Sequence, residues 1–114
     1  MSTLEMDHYQ EGEIVVVVPA GDINSATAST FGDYLTMAIE QAPTARVILD
    51  MSGVYYMSSA GLRDIVSGLK QTKKRGGDLC LAGIQGRLKP VFEMVGFDSL
   101  SRFYPTVEDA LNDF

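Results

Sequence analysis

The sequence is poor in the residues that most chemistry and most export routes require. Its 114 residues include one cysteine, Cys80, and one histidine, His8. A single cysteine forms no internal disulfide and builds no metal cage alone, which points to a reducing compartment. Carboxylates do not cluster at ligand spacing, so no metal site and no cofactor are expected. Positive charge is missing from the N-terminal part. Seven acids (Glu5, Asp7, Glu11, Glu13, Asp22, Asp33, Glu40) precede the first base, Arg46. All nine bases lie between Arg46 and Arg102, against 15 acids in the whole chain, for a net charge of -6. An acidic chain repels phosphate backbones and anionic lipid, so neither nucleic acid nor a membrane is the expected partner. No apolar run approaches the roughly 20 residues of a membrane span. The opening Met1-Ser2-Thr3-Leu4-Glu5 lacks the basic and apolar regions of a signal peptide. The expected address is therefore cytoplasmic. There is no repeat, no low-complexity stretch and no linker, and the 46% hydrophobic and 21% charged content is ordinary for a globular chain. A single domain over 1–114 is expected.

What is present alternates between strand and helix signals. Leu4-Glu5-Met6-Asp7-His8-Tyr9 has the period of a half-buried strand. Gln10-Glu11-Gly12-Glu13 reads as a hairpin turn. Ile14 to Val18 is a continuous β-branched run, as in a strand covered on both faces, and Pro19 and Gly21 are expected to end it. Asn24 or Ser25 can cap a helix in which Ala28, Phe31, Leu35, Ala38 and Ile39 recur at helical spacing, with Pro43 as the stop. Val47-Ile48-Leu49 is a short apolar strand ending at Asp50. After a connection rich in Gly and Tyr, Ser58 or Ser59 opens a helix with the stripe Leu62, Ile65, Val66 and Leu69. Lys70, Lys73, Lys74 and Arg75 suit its C-terminal dipole, and Gly76-Gly77 ends it. Leu79 to Ala82 is a third buried strand, in which Cys80 reads as a core thiol rather than a redox sensor. Leu88, Val91, Phe92 and Val95 mark a helix with Pro90 in its first turn, ended by Gly96. A short edge strand over Ser101 to Tyr104 and a final helix follow, the latter opened by Thr106 with Asp109 three residues on. The order ββαβαβα(β)α implies an α/β domain. Its expected sheet is mixed and four- to five-stranded, with parallel crossovers and about four helices mainly on one face.

The most informative segment is Tyr55-Tyr56-Met57-Ser58-Ser59-Ala60-Gly61-Leu62-Arg63. Two serines stand where a strand-loop unit becomes a helix. Backbone N–H groups there lack partners and the helix end is partially positive, so a phosphate on Ser59 is tolerated. Spacing alone also fits a capping serine beside a tightly packed glycine. The same segment is a poor nucleophile elbow, because Met57 stands where that turn needs glycine. His8 lies far away in sequence, so Ser59 has no evident activating base. A P-loop is absent from the sequence. An enzyme is not expected. Met51, Met57, Tyr55 and Tyr56 should divide between interface and packing.

Six short segments in register resemble a known family. They are Ala20-Gly21-Asp22-Ile23-Asn24, Arg46-Val47-Ile48-Leu49-Asp50, Tyr56 to Leu62, Arg75-Gly76-Gly77-Asp78-Leu79, Phe92 to Phe97, and Glu108-Asp109-Ala110-Leu111. Together they resemble a STAS domain of the anti-sigma factor antagonist (anti-anti-sigma factor) type over nearly the whole chain. The resemblance implies partner switching in a bacterial cytoplasm. An unphosphorylated antagonist binds an anti-sigma factor that is also a serine-protein kinase and so frees a sigma factor. Phosphorylation at the start of helix 2 ends binding, and a PP2C-type phosphatase reverses it. Aligned on Gly61-Leu62, the implied phosphoacceptor is Ser59, with Ser58 as second choice. Ser58 stands where the family often has Asp, Ala60 where it often has Ser or Thr, and Asn24 where many relatives are acidic. The implied partner surface comprises Asp22, Ile23 and Asn24, then Met57, Ser58, Ser59, Ala60 and Gly61, then Arg63 and Asp64 on the first turns of helix 2. The free protein is expected to be monomeric, with ATP and Mg²⁺ brought by the kinase. The competing expectation is a STAS interaction module that does not switch, held in a signalling scaffold or transport complex.

Overall fold

The computed structural model describes residues 3–114. The chain opens with a hairpin of β1 (Leu4–Glu11) and β2 (Ile14–Gly21). Its two-residue loop puts Gly12 at φ 61, the positive φ a type II′ turn needs at its first position. Then come α1 (Ala28–Gln41), β3 (Arg46–Asp50), α2 (Ser59–Lys74) and β4 (Asp78–Ala82). They are followed by α3 (Lys89–Met94), α4 (Phe97–Leu100), β5 (Phe103–Tyr104) and α5 (Val107–Asp113). One sheet of five strands runs in the order β1-β2-β3-β4-β5, with β1 antiparallel to β2 and the other neighbours parallel.

The apolar strands are continuous because both faces of the sheet are covered. Val15, Val17, Val47, Leu49, Leu79 and Leu81 face the larger core with α1, α2, α3 and α4. Ile14, Val16, Ile48, Cys80 and Ala82 face the smaller one, closed by Ala110 of α5. The expected mixed sheet and single α/β domain are present. Five helices are assigned among the described residues rather than four, since α4 is one turn and too short for periodicity to reveal. The strand β2 runs through Pro19 instead of ending there. Its ladder to β3 stops at Val17, so the missing N–H of Pro19 falls where β3 offers no partner. At the end of α2, Gly76 (φ 82) lets its own N–H reach the Lys73 carbonyl (3.0 Å) and the Gly77 N–H reach that of Thr72 (2.8 Å). That is a Schellman closure, and it starts β4 beside β3.

Candidate functional site

Beyond β3 the chain stays on the sheet for several residues. The Met51 N–H donates to the Ala82 carbonyl (2.8 Å), and the Met51 and Val54 side chains are fully buried. The Ser52 N–H is held by the Asp50 carboxylate (3.0 Å). Burial then ends abruptly. Tyr55 and Tyr56 are 57% and 51% exposed, on the approach to the serines. Of the four residues expected to divide between interface and packing, Met51 is core, Met57 is half-buried and the two tyrosines face solvent.

The approach to α2 is fastened to the loop that follows β2. Gly21 N–H donates to the Gly53 carbonyl (3.0 Å) and Ile23 N–H to that of Tyr56 (3.0 Å), while Ser58 N–H returns to the Ile23 carbonyl (2.7 Å). Ile23 and Met57 thus form a parallel bridge. This seam brings the Asp22–Asn24 and Met57–Gly61 segments together. Gly61 makes it possible, because a Cβ there would stand 2.5 Å from Ile23 Cγ2 and 3.1 Å from Met57 Cγ. The first loop is rigid in its own right. Asn24 Oδ1 accepts from the N–H groups of Ala26 (2.9 Å) and Thr27 (3.0 Å), and Thr27 Oγ1 donates to the Asp22 carbonyl (2.7 Å). Asn24 therefore closes the turn that leads into α1.

The two serines differ in their bonding. Ser58 is the N-cap of α2, half-buried, and its Oγ accepts the Gly61 N–H (3.2 Å). Ser59 is the first helical residue and is exposed, and its hydroxyl makes no hydrogen bond among the described residues. The first turn of α2 contains no acid, so its positive end is uncompensated locally. One turn on, Arg63 points to solvent.

Three residues of the implied partner surface are not freely exposed. Ile23 is fully buried and Gly61 is buried beneath it, so both shape the surface from below rather than forming part of it. Asp64 is half-buried and turned toward α1, where a Cβ on Gly32 would come within 2.8 Å of its carboxylate. Burial, and then Asp33, raise the Asp64 pKa above the ordinary carboxylate value, with Arg63 opposing. Conversely, Tyr55 and Tyr56 join the exposed rim, a placement that no periodicity in the sequence signals. His8 is engaged elsewhere, with its Nδ1 2.5 Å from the Tyr34 hydroxyl.

A family model for the STAS domain matches residues 5–110. The chain belongs to the STAS domain family. Among named relatives of this STAS domain is BtrV of Bordetella bronchiseptica, named as an anti-sigma factor antagonist. It is 35% identical over 80 residues, covering 70% of this chain and 68% of that protein. A Thermotoga maritima structure described as an anti-sigma factor antagonist superposes with a TM-score of 0.87 at 20% identity, over 95% of this chain and 92% of that one. The Bacillus cell fate determinant SpoIIAA in its phosphorylated form superposes with a TM-score of 0.74 at 19% identity, covering 95% and 97% of the two chains. These two likenesses establish the fold, and the relatives place this STAS domain among anti-sigma factor antagonists. No helix among the described residues is long and apolar enough to cross a membrane.

Proposed function

We propose that this STAS domain is an anti-sigma factor antagonist that acts by partner switching in a bacterial cytoplasm. Unphosphorylated, it binds an anti-sigma factor that is also a serine-protein kinase, and the sigma factor is released. The kinase then transfers the γ-phosphoryl of its ATP to Ser59 Oγ. The bond to the β-phosphate oxygen breaks, ADP leaves, and the serine proton passes to a base of the kinase. A PP2C-type phosphatase restores the hydroxyl by hydrolysis. Catalysis and metal belong to these partners.

The observation that carries this reading is the contrast between the serines. Ser58 is occupied as a cap, while Ser59 offers an exposed and unengaged hydroxyl at an acid-free helix N-terminus. Asp22, Asn24, Met57 and Ala60, with the exposed tyrosines, form the surface around it, and Arg63 continues it along α2. Phosphorylation adds about -1.5 to -2 charge at neutral pH. Burying that charge against a partner at a penalty of about 3–4 kcal/mol weakens binding several hundredfold. Asn24 uses only an acceptor oxygen, which aspartate also has, so Asn24→Asp adds the acidic residue common among relatives without removing the turn.

The test uses Ser59→Ala and Ser59→Asp proteins as paired baits in native lysate, with mass spectrometry as the readout. A serine kinase held by Ser59→Ala and lost by Ser59→Asp is expected. Identical partners on both baits would replace switching with a scaffold or transport module and leave Ser59 without a signalling role.

A further inference from the structure

Past Ser59 the outer face of α2 borders a groove. Leu62, Arg63, Val66, Ser67 and Lys70 form one wall, and Val95, the residue that closes α3, forms the other. Its lining is apolar at Leu62, Val66 and Val95. It carries two cations and, among the described residues, no carboxylate. Beyond that lining, α3 itself exposes apolar side chains. Val91, Met94 and Val95 stand at i, i+3 and i+4 and are 38%, 86% and 50% exposed. Solvated helix faces seldom present three such residues together. The positive charge is equally out of character for a chain of net charge -6. Apolar surface flanked by Arg63 and Lys70 complements one kind of occupant, a helix or strand segment with an apolar face and acidic flanks.

We infer that the α2–α3 groove binds an acidic amphipathic segment of the anti-sigma factor, and that phosphorylated Ser59 weakens this binding through Arg63. Ser59 and Arg63 lie at i and i+4, with the acid-to-be on the N-terminal side, the favourable order for a helical ion pair. A phosphate at Ser59 takes Arg63 as an internal partner. The groove then loses one of its two cations and gains a negative neighbour that repels an acidic ligand. Switching thus reaches one helical turn beyond the modified residue. This inference rests on the proposed function, but its test needs no kinase.

The ¹⁵N-labelled full-length chain is titrated at low salt with a synthetic helical peptide bearing a leucine face and a glutamate face. Peptides with glutamine or lysine in place of glutamate serve for comparison. Amide shifts are expected to concentrate at the six lining residues, with the glutamine peptide roughly fivefold weaker, the contribution of two exposed ion pairs. Arg63→Gln/Lys70→Gln should lose the same factor for the glutamate peptide. Lys73→Gln/Lys74→Gln removes equal charge from the far end of α2 and should lose little. Phosphoserine installed at position 59 should weaken binding about as much as the Arg63/Lys70 double change. Equal affinity for the glutamate and glutamine peptides, equal losses in the two double variants, or shifts outside the groove would each overturn the inference. If the Ser59 baits discriminate but Arg63→Gln/Lys70→Gln leaves kinase capture intact, the groove fails and switching stands. If the peptide seats in the groove but both baits hold the same partners, switching fails and the groove stands.

Discussion

Replacing each serine by alanine should separate stability from signalling. Ser58 Oγ accepts the Gly61 N–H at 3.2 Å, satisfying one of the orphan donors of α2. Alanine leaves that donor unpaired at the cap, a loss of about 1 kcal/mol. For a chain of 114 residues this lowers Tm by about 4 °C. Ser59 makes no such bond and occupies a helical position where alanine has the higher propensity. Its replacement should change stability by no more than about 0.5 kcal/mol, in the stabilising direction if at all. Urea unfolding of the two variants should therefore show a loss for Ser58→Ala and none for Ser59→Ala. With labelled ATP and the captured kinase the order reverses: Ser58→Ala keeps the label and Ser59→Ala loses it. Phosphate on Ser58→Ala absent while Ser59→Ala is labelled would refute the assignment, and a loss above 1 kcal/mol for Ser59→Ala would refute the account of the helix start.

Other consequences are equally open to measurement. Gly61→Ala drives a Cβ to 2.5 Å from Ile23 Cγ2 and should destabilise by about 1–3 kcal/mol. In an Ile23→Ala background most of that cost should go, leaving only the 3.1 Å approach to Met57 Cγ, and an equal cost in both backgrounds, read by urea unfolding, would show that the glycine does not act through Ile23. Asp64 has a pKa raised by burial and by Asp33, so its ionised form is disfavoured in the fold. Stability associated with its protonated form is present below the unfolded pKa and is lost as pH rises through the folded one. Asp64→Asn should accordingly be more stable than the parent at neutral pH, with the difference shrinking as pH falls through the Asp64 titration. Cys80 is fully buried and its thiol is pushed up to about 12, chiefly by burial. Iodoacetamide at mildly alkaline pH should label it only at the rate of unfolding, and rapid labelling of the native protein would contradict that burial.

Much of the scaffold was legible because it rests on local chemistry. The runs Ile14–Val18, Val47–Leu49 and Leu79–Ala82 read as doubly covered strands, and α5 on one face with the other helices opposite supplies the cover. Thr106 accepts the Asp109 N–H (3.1 Å) as its spacing suggests. The single turn of α4 offered too few residues for a period. At the site, the serine pair at a helix start was visible, but the seam behind it was not. Ile23 and Met57 pair through backbone groups of two loops, and backbone pairing leaves no side-chain pattern. For the same reason burial could not be read at Ile23, whose neighbours Asp22 and Asn24 are partly exposed loop residues. Asp64 follows exposed Arg63 on an amphipathic helix, and only the closeness of α1 at Gly32 turns it inward.

The arrangement around Ser59 also decides what kind of switch this can be. Its supports are the Ile23–Met57 seam, the Asn24 turn and the Ser58 cap. None uses the Ser59 hydroxyl, so phosphorylation breaks no bond of the fold. The new charge lies at the positive end of a 16-residue helix, where it is worth some tenths of a kcal/mol in favour of the folded state. A conformational switch would need the phosphate to prefer a second arrangement by several kcal/mol, and nothing around Ser59 supplies such a preference. The phosphorylated and unphosphorylated proteins should thus unfold at nearly the same urea concentration. Their amide spectra should differ only in the first turns of α2 and the Asp22–Asn24 loop, while kinase affinity falls several hundredfold. Shifts spreading through β3 and β4, or a lowered midpoint, would mean that the phosphate acts by deforming the domain rather than by placing charge on a rigid surface.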